Sequence, residues 1–173
     1  MTSLVLLTGC GLPPDLGLPA LDVVEDVEIE RYMGRWYEIA RYPNSFEQDC
    51  VGVTADYTLL SDGRVEVLNT CRDADGNTVS TIEGFAEVAD PETRAKLTVY
   101  FFFPFGAPYW ILELGDDYEY AVVGDPSRTF LWILSRTPTL DPALYDEITQ
   151  RLPDKGYDPG RLELVPQNAA VTE

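Results

Sequence analysis

Apolar and polar side chains alternate in short runs over most of this chain, a period of two that predicts half-buried β-strands. Along the first run Trp36, Glu38, Ala40 and Tyr42 share one face, and Tyr37, Ile39 and Arg41 share the other. In the run from Val51 to Leu60, Val53, Ala55, Tyr57 and Leu59 alternate with Thr54, Asp56 and Thr58. Ser61-Asp62-Gly63 then reads as a tight hairpin loop with Gly63 left-handed. That loop sets a register, pairing Leu59 with Val65, Tyr57 with Val67 and Val53 with Cys71, so the apolar faces of both strands agree. Further strands are expected over Val79–Val88, Ala95–Phe103, Tyr109–Leu114, Tyr120–Gly124 and Phe130–Arg136. Leu97, Val99, Phe101 and Phe103 fall on one face of their strand. For Tyr109–Leu114 both faces are apolar, and parity stays open.

A different period follows. Asp141 is placed to cap a helix with Pro142 at its first position, and Leu144, Tyr145, Ile148 and Leu152 share one face of it. If Trp132 and Leu134 face the core, Leu131 and Ile133 face out and need a cover, which this helix supplies. Arg161 to Val165 reads as one more short strand. The pattern is therefore all-β, with eight antiparallel strands, a C-terminal α-helix packed on the outside and a short ninth strand.

Composition narrows the function. The chain has 173 residues and a formal charge of −18. That charge argues against a nucleic-acid partner, since phosphates repel it. There is no His, which removes the usual catalytic base and the commonest metal ligand. No Ser-His-Asp set is possible, and Asp116/Asp117 sit where solvated turn residues belong. Neither a catalytic residue, a metal site nor a cofactor is expected.

Gly34-Arg35-Trp36-Tyr37 together with the distant Leu131-Trp132-Ile133-Leu134-Ser135-Arg136 resembles the two ends of a lipocalin barrel. Ile82-Glu83-Gly84 and Ala107-Pro108-Tyr109-Trp110-Ile111-Leu112 add to the likeness, which is nearest to bacterial outer-membrane lipocalins and apolipoprotein D. Asp117-Tyr118 matches a further signature in part, with Asp116 where the family has Thr. The resemblance implies an eight-stranded up-and-down β-barrel holding a small apolar ligand, a fatty acid or lysophospholipid. It implies that Tyr57, Phe101, Tyr109 and Trp132 line the pocket, and alternation adds Val99 and Phe103. The other reading of these six is that they fill the barrel as core. Gly34, Trp36 and Arg136 are expected to be structural, the guanidinium lying over the indole. Phe46, in the loop after the first strand, is either a lid or a side chain packed on the rim. Arg41, Arg72 and Arg128 are the donors near the mouth for a charged head group.

Leu7-Thr8-Gly9-Cys10 resembles a bacterial lipobox, with residues 1–9 as the remnant of a signal peptide. No Lys or Arg precedes it and the apolar run is short, as in a leader clipped at its front. Cys10 would be acylated and anchor the protein to the outer membrane, the barrel in the periplasm. Residues 10–27 are expected as the lipidated Cys and a flexible tether, 28–166 as the barrel domain and 167–173 as a disordered tail. Cys50 and Cys71 remain. In an oxidising compartment a disulfide is expected, though the register puts Cys71 opposite Val53, so the preceding loop must fold back for the sulfurs to meet. The alternative is a pair of free thiols, one of them catalytic.

Overall fold

The computed structural model describes Leu18 and residues 20–48 and 50–167. The lipobox and Cys10 lie outside the described residues, as does the tail from residue 168 onward. A short helix α1 (Ile29–Tyr32) leads into β1 (Gly34–Arg41), β2 (Gly52–Leu59), β3 (Val65–Arg72), β4 (Thr78–Val88), β5 (Lys96–Phe102), β6 (Phe105–Leu114), β7 (Tyr120–Gly124) and β8 (Leu131–Ser135). Helix α2 (Pro142–Arg151) and β9 (Glu163–Leu164) follow. Every neighbouring pair is antiparallel, and β1 pairs with β8 as well as β2, which closes the eight strands into a barrel. β9 adds to the edge of β1. The β2–β3 register is the expected one, Val53 opposite Cys71, Tyr57 opposite Val67 and Leu59 opposite Val65, with Gly63 at φ +87°.

The closed end is built on Trp36, which is fully buried and donates its indole N–H to the Tyr32 carbonyl at 2.9 Å. The Arg136 guanidinium lies 3.8 Å above its ring. Gly34, at φ +89°, carries the chain past that guanidinium; an L-residue there would be strained. Tyr118 helps shut the same end, accepting a hydrogen bond from the Glu28 N–H at 2.9 Å.

A second core lies between barrel and helix. Leu131 and Ile133 are buried against Ile148 and Leu152, with Leu144 and Tyr145 alongside. Asp141 caps α2, accepting from Ala143 N at 2.8 Å and Leu144 N at 3.3 Å. The open parity of β6 resolves with Ile111 in the barrel core and Leu112 under the helix.

Four expectations change. A bulge at Ile39 shifts the β1–β8 register, so Ala40 opposes Ile133 and Arg41 opposes Trp132. Ala40 and Tyr42 therefore leave the face of Trp36 for the outer core, and Arg41 turns inward; one extra residue reverses every side chain beyond it. Phe103 does not face the interior. β5 ends at Phe102, and Phe103-Pro104, joined by a cis peptide, forms the turn into β6. Phe103 is 74% exposed and packs on the outer rings of Phe85 and Tyr100. The connection expected around Phe105–Pro108 is instead the start of β6. Residues 21–27, expected as tether, lie on the barrel: Leu21 and Val27 are buried, Val24 N donates to Ile111 O and Val27 N to Thr93 O.

Candidate ligand-binding site

Opposite the Trp36 plug the barrel opens into a cavity of about 1050 Å³. Its wall follows from strand alternation: each strand sends every second residue inward. Tyr57 on β2, Val99 and Phe101 on β5, Tyr109 on β6 and Trp132 on β8 all line it, whereas Phe103 does not. Val65 and Val67 on β3, Ala86 on β4 and Leu97 on β5 complete an apolar belt.

Near the closed end, three phenols share hydrogen bonds. Tyr109 Oη lies 2.8 Å from Tyr32 Oη and 3.1 Å from Tyr57 Oη. Burial pushes all three above the ordinary tyrosine value, Tyr57 up to about 12. These hydroxyls satisfy one another near the plug, where an unpaired one would be costly.

At the mouth, the loop between β1 and β2 carries Phe46, which is 63% exposed and lines the cavity. Its ring centroid is 5.9 Å from that of Phe130, which in turn stacks on Trp132 at 5.7 Å. Phe46 thus packs on the rim and also borders the opening. Two ties hold its loop. Cys50 and Cys71 form a disulfide with their Cα atoms 5.2 Å apart. The chain folds back to permit it, Val51 N donating to Arg72 O at 2.9 Å and Cys50 N to Glu47 O at 3.1 Å. Neither thiol is therefore free for catalysis. Arg41 is the second tie, donating to Glu38 Oε1 at 2.8 Å and to the Glu47 carbonyl at 2.7 Å.

None of the three expected head-group donors lines the cavity. Arg41 is spent on Glu38 and the loop carbonyls. Arg72 donates to Thr54 Oγ1 at 3.1 Å. Arg128 is buried, and donates to the carbonyls of Lys155 and Pro126. The cavity wall among the described residues instead carries carboxyls, Glu38, Glu47 and Asp125. Glu38 and Glu47 are buried, and Glu47 Oε2 sits 3.4 Å from Trp132 Nε1. Burial raises the Glu38 carboxyl well above its ordinary value, the Glu47 charge adds to that, and Arg41 opposes both.

Sequence reasoning missed this acidic corner, although alternation had already put Glu38 on the face of Trp36. An acidic residue on an inward face was the available signal. The neutral acceptor Asn69 was also missed. It lines the cavity with its buried Oδ1 lacking a hydrogen-bond partner. Asp125 is internally satisfied, accepting from Phe130 N and Ser127 N.

The β5–β6 hairpin projects beside the mouth. Phe102 and Phe105 both line the cavity yet are 73% and 80% exposed. Among the described residues no helix is long and apolar enough to cross a membrane.

Comparison with known proteins places this architecture. Residues 27–167 match the model of the lipocalin-like domain. The chain is 40% identical to temperature-induced lipocalin-1 of Arabidopsis thaliana, covering 88% of this chain and 86% of that one. It is 38% identical to the outer membrane lipoprotein Blc of Vibrio cholerae, covering 94% of each. With apolipoprotein D of Mus musculus the identity is 38%, over 81% of this chain and 77% of the relative. Among solved structures, insecticyanin of the tobacco hornworm Manduca sexta superposes with a TM-score of 0.71, at 21% identity and over 88% and 87% of the two chains. The closed barrel, the plugged end and these matches agree, and the chain belongs to the lipocalin family.

Proposed function

We propose that this protein binds and carries small single-chain amphiphiles, the class that includes fatty acids and lysophospholipids, in its barrel cavity while anchored to the outer membrane through an acylated Cys10. The observation that carries the binding role is the cavity itself. Its volume of about 1050 Å³ is unfilled by side chains, and its wall is mostly aliphatic and aromatic. A barrel packed with its own core would leave no such space, so a purely structural role has this volume against it. Each methylene placed there contributes roughly 0.8 kcal/mol before the entropic cost of binding. A chain of ordinary acyl length needs few polar contacts to reach micromolar affinity. No covalent step is invoked, and release is the reversal of binding.

The anchor rests on Leu7-Thr8-Gly9-Cys10 and on relatives named as outer membrane lipoproteins at 37–38% identity. In that setting the barrel stands in the periplasm, an oxidising compartment that suits the Cys50–Cys71 bond.

Native mass spectrometry of delipidated protein titrated with twelve- to eighteen-carbon amphiphiles tests the carrier role. A one-to-one adduct weakened by Trp132→Ala and Phe101→Arg is expected. No adduct from a folded barrel would end the carrier reading. Labelled palmitate incorporation in a bacterial host, with Cys10→Ser as comparison, tests the anchor separately.

A further inference from the structure

At the mouth, buried carboxyls stand beside aromatic rings. Three aromatic rings meet at the mouth, Phe46, Phe130 and Trp132, with successive centroids 5.9 and 5.7 Å apart. Glu47 lies against the Trp132 indole N–H, and Glu38 lines the same wall. Both glutamates are more than nine-tenths buried, at 4% and 8% exposure. Arg41 pairs with Glu38 and gives its other contacts to two loop carbonyls, while among the described residues Glu47 Oε2 accepts only from neutral donors, Asn44 Nδ2 and the Trp132 indole. Among the described residues lining the cavity there is no Lys or Arg.

A carboxylate head here would meet two buried carboxyls, with no Lys or Arg on the described wall to pair it. A positively charged nitrogen would meet the opposite: aromatic faces, whose quadrupoles attract cations, and buried carboxyls beside them. We propose that this corner is a subsite for a cationic nitrogen, so that the preferred cargo is a single-chain amphiphile with an amine or quaternary ammonium head rather than a free fatty acid. The proposal rests on the carrier reading and sharpens it. The same head chemistry occurs on free long-chain amines and on lysophospholipids bearing choline or ethanolamine. A lysophospholipid also brings a phosphate, which finds no basic side chain on this wall.

The test holds chain length constant and changes the head. Binding of dodecyltrimethylammonium, dodecanol, dodecanoate and lauroyl lysophosphatidylcholine is measured by isothermal titration calorimetry on the purified protein, below each critical micelle concentration. The expected order is ammonium tighter than alcohol by about ten-fold, with dodecanoate weakest. Glu47→Gln and Glu38→Gln should each shrink the ammonium-to-alcohol ratio several-fold. Glu83→Gln removes the same charge from the exposed outer face of β4 and should leave that ratio unchanged. Lysophosphatidylcholine equal to the ammonium would assign the zwitterionic lipid as source, and weaker binding would assign the free amine; either supports the subsite. Alcohol binding without an ammonium advantage, or dodecanoate tighter than alcohol, would overturn the subsite and leave the carrier standing. So would an advantage that survives both glutamate variants, since the overall charge of −18 would then explain it. Binding of none of the four would overturn the carrier reading too.

Discussion

Arg136 lies over Trp36 at 3.8 Å, and its two terminal nitrogens donate to the carbonyls of Arg35 at 2.9 Å and Arg31 at 2.7 Å. One side chain from β8 thus covers the plug and fastens both α1 and the start of β1. Arg136→Ala removes the cation–π contact and the donors to three carbonyls, those of Arg31, Arg35 and Tyr118. A loss of about 2–4 kcal/mol is expected, from charged hydrogen bonds of ~1.5–3 kcal/mol and a cation–π contribution of ~0.5–2 kcal/mol. Urea denaturation followed by tryptophan fluorescence would read it. A loss below 0.5 kcal/mol, taking ~0.5 as the size of a neutral surface change, would show the contact to be idle.

The Cys50–Cys71 bond closes a loop with a sequence separation of 21 that includes all of β2 and pins the C-terminal end of the mouth segment. Reduction, or the paired change Cys50→Ser with Cys71→Ser, should cost roughly 2–4 kcal/mol. It should also raise the ligand off-rate, because one of the two ties on the Phe46 loop is gone. Stopped-flow release with and without reductant measures this. An off-rate that ignores reductant would assign the loop's position to Arg41 instead.

Phe101 and Phe103 are two residues apart and fall on the same face by simple alternation, yet only Phe101 lines the cavity. Phe101→Ala should weaken binding of a twelve-carbon amphiphile about ten-fold, consistent with ~1.5–3 kcal/mol for a fully buried aromatic contact. Phe103→Ala should change it less than two-fold. Equal effects from both would mean that the β5–β6 hairpin packs otherwise than described.

The three buried phenols give the barrel an alkaline limit. Their folded-state values lie above the ordinary 10.0, Tyr57 at about 12, with burial as the main cause. Raised values favour the protonated fold, so this contribution is fully present below pH 10 and is lost as pH rises through the folded values. Absorbance at 295 nm should therefore show these phenols ionising together with unfolding. Ionisation of all ten tyrosines near pH 10 in a folded barrel would contradict their burial.

The regular parts of the fold were legible because each rests on a local rule. Gly63 fixed a tight turn, the turn fixed Val53 against Cys71, and the outward pair Leu131/Ile133 demanded the helix that Asp141 begins. What the sequence hid depends on single-residue choices that alternation cannot make. Ile39 and Ala40 are both apolar, so nothing local marks the bulge at Ile39, yet it decides that Arg41 turns toward Glu38 and Tyr42 toward the outer core. The same holds at Phe102–Phe103, where an all-aromatic run conceals the end of the strand. At the site, the apolar wall was readable. Of the acidic corner only Glu38 was readable, from its place on the face of Trp36; Glu47 was not, because it reaches Trp132 from a loop held by a disulfide and by Arg41.

The plugged end has one more consequence. A tube with a single doorway loads and unloads through the same opening. On the carrier role proposed above, an amphiphile that goes in tail first must come out head first, and the head is then the handle for whatever removes it. Extraction becomes a contest for that head between the receiving partner and the residues around Trp132. Cargo cannot be pushed through from behind, so the proposed carrier role is one of holding and releasing single molecules, not of conducting a stream of them.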